Sequence, residues 1–450
     1  MRADPSPRAP RTARPRTSAV LAGTLLSALL ATASTAAALC GDLTGDGRLG
    51  ASDALASLKT VVAGGYHPGG DLDIGSGTDG TLTVTDTLAL LRAATQGSIP
   101  LCAAAFERHL LVATSAIDFA NGGLAEIALE DFSVLRSRRS FTDGDSVLRL
   151  QEGRSLVLNR FAANNLQEID CTDDSFTTAM QCSLGVGANP HDVVLVSSDK
   201  GYVSRYDKPN LAVIDLTADS SCNGFVTELI SLAALADEDG IPEMDQMLLV
   251  GDRLFVALQL LDRRRFFVPT GPGLLAVLDT ASDELVDSVR LAISNPFAET
   301  KGLIFHEPSG RIYVGGPGTL FTDLEDGGIE IVNPETLLSE GVVMTGAELG
   351  GDLTDFVIVG TRRAYALVAG QGFIASLVEV DLATRTVLDV LTTSEFSLSD
   401  IELSEAGLLC LADRDPFEPG VRCWDISDNR ELTDRPVYPG LSPFNLAFTR

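Results

Sequence analysis

Apolar and polar residues alternate in short runs along most of the chain, and the runs recur as one unit. His191–Thr217 (HDVVLVSSDKGYVSRYDKPNLAVIDLT) shows it: a strand around Val193 and Leu195, a second carrying Tyr202 and Val203, and a third ending at Ile214 and Asp215. Alternation of this period between turn residues marks half-buried strands. First strands are expected at Ser146–Leu150, Asp192–Val196, Gln246–Val250, Gly302–Phe305, Asp355–Val359 and Asp400–Leu403. Second strands are expected at Arg108–Ala113, Arg154–Asn159, Lys200–Ser204, Asp252–Ala257, Gly310–Gly315, Arg362–Leu367 and Ala406–Leu411. Third strands close on Ile127-Ala128, Ile169-Asp170, Ile214-Asp215, Leu278-Asp279, Val332-Asn333, Val380-Asp381 and Trp424-Asp425.

These turns recur roughly every 42 to 64 residues, the period of propeller blades rather than of helical solenoids. Six first strands stand against seven second and third strands. Asn445–Thr449 supplies the missing one, and its expected place is beside Leu110–Ala113, completing blade one. An unclosed stack of sheets would leave an edge and an apolar face uncovered. The fold class predicted is mainly β: a seven-bladed β-propeller over residues 103–450, closed by strand 444–449. Five of the third strands end in Asp, Val332-Asn333 is a conservative variant and Ile127-Ala128 lacks the acid. The recurring residue has a local cause, since Asp or Asn bonds its own downstream backbone and starts the turn into the fourth strand.

The first hundred residues follow a different pattern. Five arginines precede the apolar run Ala19–Ala33, and Ala36-Ala37-Ala38 offers small residues for cleavage, so 1–38 reads as an export signal. That run is short for a membrane span, and no later stretch stays apolar for long enough. Cys40 brings in a lipoprotein as a second reading, against which Leu39 is bulky for a lipobox.

Residues 39–102 carry two Asp/Gly loops, each leading into an amphipathic stretch. In the first, Asp42, Thr44, Asp46, the Arg48 carbonyl and Asp53 fall at loop positions 1, 3, 5, 7 and 12, with Gly47 at the sharp turn. Oxygen ligands at that spacing converge on a hard cation, so Ca2+ is the expected cofactor. Helical Leu55, Leu58 and Val62 share one face after it. In the second, Asp73, Asp79 and Asp86 are the candidates, and the loop is two residues longer. Either Thr78-Asp79 is an insertion or Asp79 takes over a ligand position.

GDLTGDGRLGASDALASLK and its echo DGTLTVTDTLALLR resemble the type I dockerin module, a small α-helical unit of paired EF-hand-type loop–helix elements. The resemblance implies calcium binding and docking onto a cohesin-like or other extracellular protein. NPHDVVLV, KGYVS, NLAVIDLT, GRIYVGG and GGIEIVNPET resemble the bacterial seven-bladed propellers related to YncE and the lactonase-like surface proteins. Motifs of this kind specify a fold and hardly specify an activity.

Charge narrows the partners. The net charge is −29, and removing a leader with five Arg and one Asp takes it to about −33. Such a surface repels phosphate backbones, which disfavours nucleic acid. Seven cysteines in an exported chain predict disulfides. The pairing expected is Cys40–Cys102, Cys171–Cys182 and Cys410–Cys423, leaving Cys222 odd.

Motifs of known chemistry are scarce. None of His67, His109, His191 and His306 stands at metal-ligand spacing with another, and neither HExxH, CxxC nor GxSxG occurs. His191, Asp245, Lys301, Asp355 and Asp400 occupy equivalent strand entries and are candidates for a ring at the channel mouth; the plainer reading bonds them to neighbouring loops. The loops Leu235–Asp245, Leu258–Gly273 and Gly315–Gly328 are candidate recognition elements. Three functions remain in view: an exported non-enzymatic binding or scaffold protein recognising a protein or glycan, a hydrolase or lactonase working in the channel, and a structural envelope component.

Overall fold

A computed structural model describes residues 109–449 apart from 172–174, 219, 299–300, 371, 373 and 396–397, together with Leu55. The expected export signal, both calcium loops with Asp42, Thr44, Asp46, Arg48, Asp53, Asp73, Asp79 and Asp86, and the Cys40–Cys102 bridge lie outside these residues. Of residues 1–108 Leu55 alone is described, as one exposed helical residue.

Seven four-stranded antiparallel sheets follow one another along the chain. Blade 2 has the order Ser146–Gln151, Arg154–Asn159, Asn165–Asp170 and Thr177–Ser183, each strand paired with the next. Blade 3 repeats it with Pro190–Leu195, Lys200–Arg205, Asn210–Asp215 and Val226–Ser231. Blades 4, 5, 6 and 7 begin at Met244–Val250, Leu303–His306, Asp352–Ile358 and Leu398–Leu403. Blade 1 is assembled from both ends of the propeller: Ser442–Thr449 lies antiparallel to His109–Ser115, with Leu110 opposite Phe448, Val112 opposite Leu446 and Ala113 opposite Asn445. The molecule is thus a mainly β, seven-bladed propeller.

Alternation explains why the sheets stack. Successive side chains of a strand point to opposite faces. Along Lys200–Arg205, Val203 packs with Leu156, Leu158 and Cys182 of blade 2, while Tyr202 packs with Leu254 and Val256 of blade 4. Seven apolar clusters of this kind fill the seven contacts between neighbouring blades. Large side chains such as Trp424, Tyr365 and Phe356 are fully buried there, each contributing roughly 1.5–3 kcal/mol. Gly315 marks a close approach between blades: a Cβ at that position would stand 2.4 Å from the Phe356 ring of the next blade.

The turn acids act as the sequence suggests. Asp279 accepts from the Ala281 and Ser282 amides, Asn333 from Glu335 and Thr336, Asp381 from Ala383 and Thr384, and Asp425 from Ser427.

The disulfides correct the expected pairing. Cys182 bonds Cys222, with Cα atoms 5.5 Å apart, and Cys410 bonds Cys423 directly across two strands of blade 7. Cys171, not Cys222, is the free thiol among the described residues. The reason is register. Asp170 faces Thr177, whereas Cys182 faces Leu166, about 17 Å further along the strand at ~3.4 Å per residue. The loop after Asp215 instead lays Cys222 against the outer edge of blade 2. Disulfides persist in oxidising compartments, which is consistent with a location outside the cytoplasm. Among the described residues no helix is long and apolar enough to cross a membrane.

Candidate functional site

In a four-stranded antiparallel blade, the connections from strand two to three and from strand four to the next blade share one end of the ring. The three loops singled out from sequence all emerge there, so this end is the candidate face.

Around its channel the first strands carry buried polar side chains, and most of them tie blade to blade. Asp192 accepts the Met247 amide of the next blade at 2.7 Å and the Arg149 guanidinium of the preceding one at 2.7 Å. Asp355 accepts the Ile401 amide at 3.1 Å, Asp400 accepts the Leu446 amide, and Asn445 accepts the Leu148 amide at 2.6 Å. Each bond satisfies a first-strand N–H that would otherwise be buried unpaired. Lys301 reaches over to Glu402, whose carboxyl is pushed above its usual range by burial, with the Lys301 charge opposing and Asp400 adding to the shift. The five candidate channel residues therefore do not form one ring. Asp355 and Asp400 are inter-blade ties, Lys301 neutralises Glu402, and only His191 and Asp245 come together.

His191 Nδ1 lies 2.9 Å from Asp245 Oδ1, and its ring stacks on Tyr206 with centroids 4.2 Å apart. Gln259 donates to the other Asp245 oxygen at 2.9 Å and accepts from the Tyr206 hydroxyl at 3.1 Å. Outside this group Arg263 binds Asp207 and Glu243, both at 2.6 Å, and the Tyr206 carbonyl at 3.1 Å. Arg263 thereby locks the Leu235–Asp245 and Leu258–Gly273 loops together. Glu243 is fully buried, and burial lifts its pKa to about 7 against the opposing Leu261 amide and Arg263. Burial also raises the Tyr206 hydroxyl, with Asp245 and Glu243 adding to it, so it stays protonated. Among the described residues no cluster of three or more His, Cys, Asp or Glu is arranged to hold a metal ion.

A second feature lies between blades 7 and 1. The fourth strand of blade 7 is only Arg430–Glu431, and the following segment adds a single bridge, Val437 to Val421. The shortened edge opens a cleft of about 1100 Å³ lined by Ile117, Asp118, Phe417, Glu418, Arg435 and Tyr438 among others. Phe417 is 87% exposed and Tyr438 54%, although both are aromatic.

Sequence reading missed Arg149, Tyr206, Gln259 and the cleft. Arg149 had a signal: an Arg between Leu148 and Leu150 on a first strand whose preceding residues, Ser146 to Leu148, are all buried. Tyr206 and Gln259 had none: they bond each other across the boundary between blades 3 and 4, and their partners within a blade, His191 and Asp245, lie on a neighbouring strand rather than beside them in the chain.

Comparison with solved structures agrees with the fold. A candidate 6-phosphogluconolactonase from Bacteroides fragilis superposes with a TM-score of 0.55 at 13% identity, over 77% of this chain and 100% of that one. A periplasmic gluconolactonase from Pseudomonas aeruginosa gives 0.51 at 14% identity, over 76% and 99%. A functionally unknown protein from Desulfotomaculum acetoxidans gives 0.51 at 11%, over 76% and 99%. At these identities the likeness extends to the propeller alone. No family model and no curated protein matches the sequence.

Proposed function

We propose that this is an exported, non-enzymatic binding protein whose propeller recognises a glycan, with the calcium-loop module of residues 39–102 as its docking tether. The observation that carries the reading is the cleft between blades 7 and 1. Exposed aromatic faces at Phe417 and Tyr438 stand beside Asp118, Glu418 and Arg435, which pairs an apolar stacking surface with hydrogen-bonding groups at its rim. Aromatic residues left in water on a rigid scaffold are common at recognition sites. The channel carboxylates, by contrast, are largely engaged in holding the ring together. A glycan array probed with the full chain and with Phe417→Ala and Tyr438→Ala tests this reading. Binding weakened tenfold or more in both variants supports it. Retention of glycans by the variants, or capture of a protein segment alone at the cleft, removes it. For the tether, calorimetry on the full mature chain should give a calcium isotherm that Asp46→Ala diminishes; a flat trace in the parent chain would remove that half.

The His191–Asp245 pair supports a second reading, a lactonase. With the proton on Nδ1 held by Asp245, Nε2 is left as an acceptor able to draw a proton from water attacking an ester carbonyl. The gluconolactonase likeness makes sugar lactones the first panel to try. Turnover abolished by His191→Ala and Asp245→Ala would place this reading first, and an inert panel would withdraw it.

A further inference from the structure

Four arginines among the described residues are buried, and three have evident compensation. Arg149 binds Asp192, Arg160 binds Asp145, and Arg414 donates to the Pro443 carbonyl and lies over the Phe119 and Phe444 rings. Arg205 is the exception. It is 7% exposed, its Nε and Nη1 are sealed from solvent without a hydrogen-bond partner, and no carboxylate among the described residues pairs with it. Burial lowers its pKa, and no neighbouring acid counters that. The acid nearest in sequence, Asp207, is turned away to Arg263. A buried cation with idle donors is costly unless an anion completes it.

The surroundings form a rigid seat. Arg205 ends the second strand of blade 3 and faces the connection from blade 2, residues 184–189. The two segments are zipped by backbone bonds from Tyr206 to Asn189 and from Asp207 to Ala188. Both cations end at this turn: Arg205 Nη2 is 3.3 Å from where a Cβ on Gly185 would stand, and Lys208 Nζ is 3.5 Å from that of Gly187. Two cations of one sign therefore flank a single turn in a chain whose net charge is −29. Asn189, at the end of the same turn, has a buried Oδ1 without a partner.

We propose that Arg205 and Lys208 hold the oxyanion of a small acidic ligand, a carboxylate or a phosphate, at the connection between blades 2 and 3. A guanidinium fork matches both groups, and an ammonium beside it adds a point charge. The site stands apart from the aromatic cleft and does not depend on it.

The test is a thermal-shift titration of the full chain with sodium acetate and with inorganic phosphate, each against sodium chloride at equal ionic strength. A ligand that binds only the folded state raises the melting temperature as its concentration passes its dissociation constant. At least one of the two anions should raise it beyond the chloride control, and which one does so assigns carboxylate or phosphate. Arg205→Gln should weaken that response tenfold or more, and Lys208→Ala, on a side chain only partly buried, should weaken it several-fold. Should Arg205→Gln fail to fold, Lys208→Ala alone decides. No response beyond chloride in the parent chain, or a response unchanged in the folded variants, overturns the proposal.

Discussion

Asn445 of the closing strand accepts the Leu148 amide of blade 2 at 2.6 Å, while its own amide donates to Asp400 of blade 7 at 2.9 Å. One side chain thus joins three consecutive blades at the point where the ring is shut. The strand pairing of Ser442–Thr449 with His109–Ser115 closes blade 1, but Asn445 fixes how that blade sits against both neighbours. Asn445→Leu keeps the volume and removes the bonds, leaving the Leu148 N–H buried and unpaired. The expected loss is about 1–3 kcal/mol of unfolding free energy. Trp424, the single tryptophan and buried in blade 7, is a suitable fluorescence probe for the urea transition.

The same logic predicts a larger effect at Asp192. Removing it in Asp192→Ala frees the Met247 amide and takes from the buried Arg149 guanidinium the carboxylate it pairs with, leaving it bonds to neutral groups such as the Leu148 carbonyl and Gln246. Breaking a buried pair from one side costs about 3–5 kcal/mol, whereas replacing both partners by apolar groups is often close to neutral. Asp192→Ala should therefore be strongly destabilised, and Arg149→Met combined with Asp192→Leu should recover most of that loss in the same urea experiment. A double variant as weak as the single one would show that the amide bond, not the ion pair, carries the energy.

Glu243 gives a pH signature. Its folded pKa, about 7, is raised from an ordinary 4.5, so the folded state holds its proton more tightly than the unfolded chain does. The stabilisation from that proton is complete below pH 4.5 and is lost as pH rises through 7. A shift of this size corresponds to roughly 3 kcal/mol. Glu243→Gln cannot lose the proton. The stability difference between the two proteins should therefore move in favour of Glu243→Gln as pH goes from 5 to 8, measured by urea unfolding at each pH.

Much of the propeller was legible because its causes are local. Alternation assigns each strand its two faces, and the acid closing the third strand bonds amides only two or three residues on, as Asp279 does with Ala281 and Ser282. The arithmetic of six first strands against seven companions then leaves the segment around Asn445 to complete the ring. What depended on distance in space was not legible. Asp355 and Asp400 share a strand position, and what makes them ties is an amide of the next blade, Ile401 or Leu446, distant from them in the chain. The cleft arises from a fourth strand of two residues in blade 7, a shortfall that alternation does not reveal. For Asp42 through Asp86 the calcium reading still rests on loop spacing.

Cys182 and Cys222 test register against proximity in sequence. A non-reducing peptide map should recover Cys182 joined to Cys222 and Cys410 joined to Cys423, with Cys171 taking the alkylating reagent. That alkylation should be slow, because burial raises the Cys171 thiol pKa and depletes the reactive thiolate. Breaking the inter-blade bond by Cys222→Ser frees a 40-residue separation in the unfolded chain and should cost about 2–4 kcal/mol. Cys171→Ser, which removes no disulfide, should leave the urea midpoint within the range of an ordinary half-buried substitution. A map that joins Cys171 to Cys182 would require the outer strand of blade 2 to slide by several residues, and with it the packing of Met180 and Leu184 against blade 3.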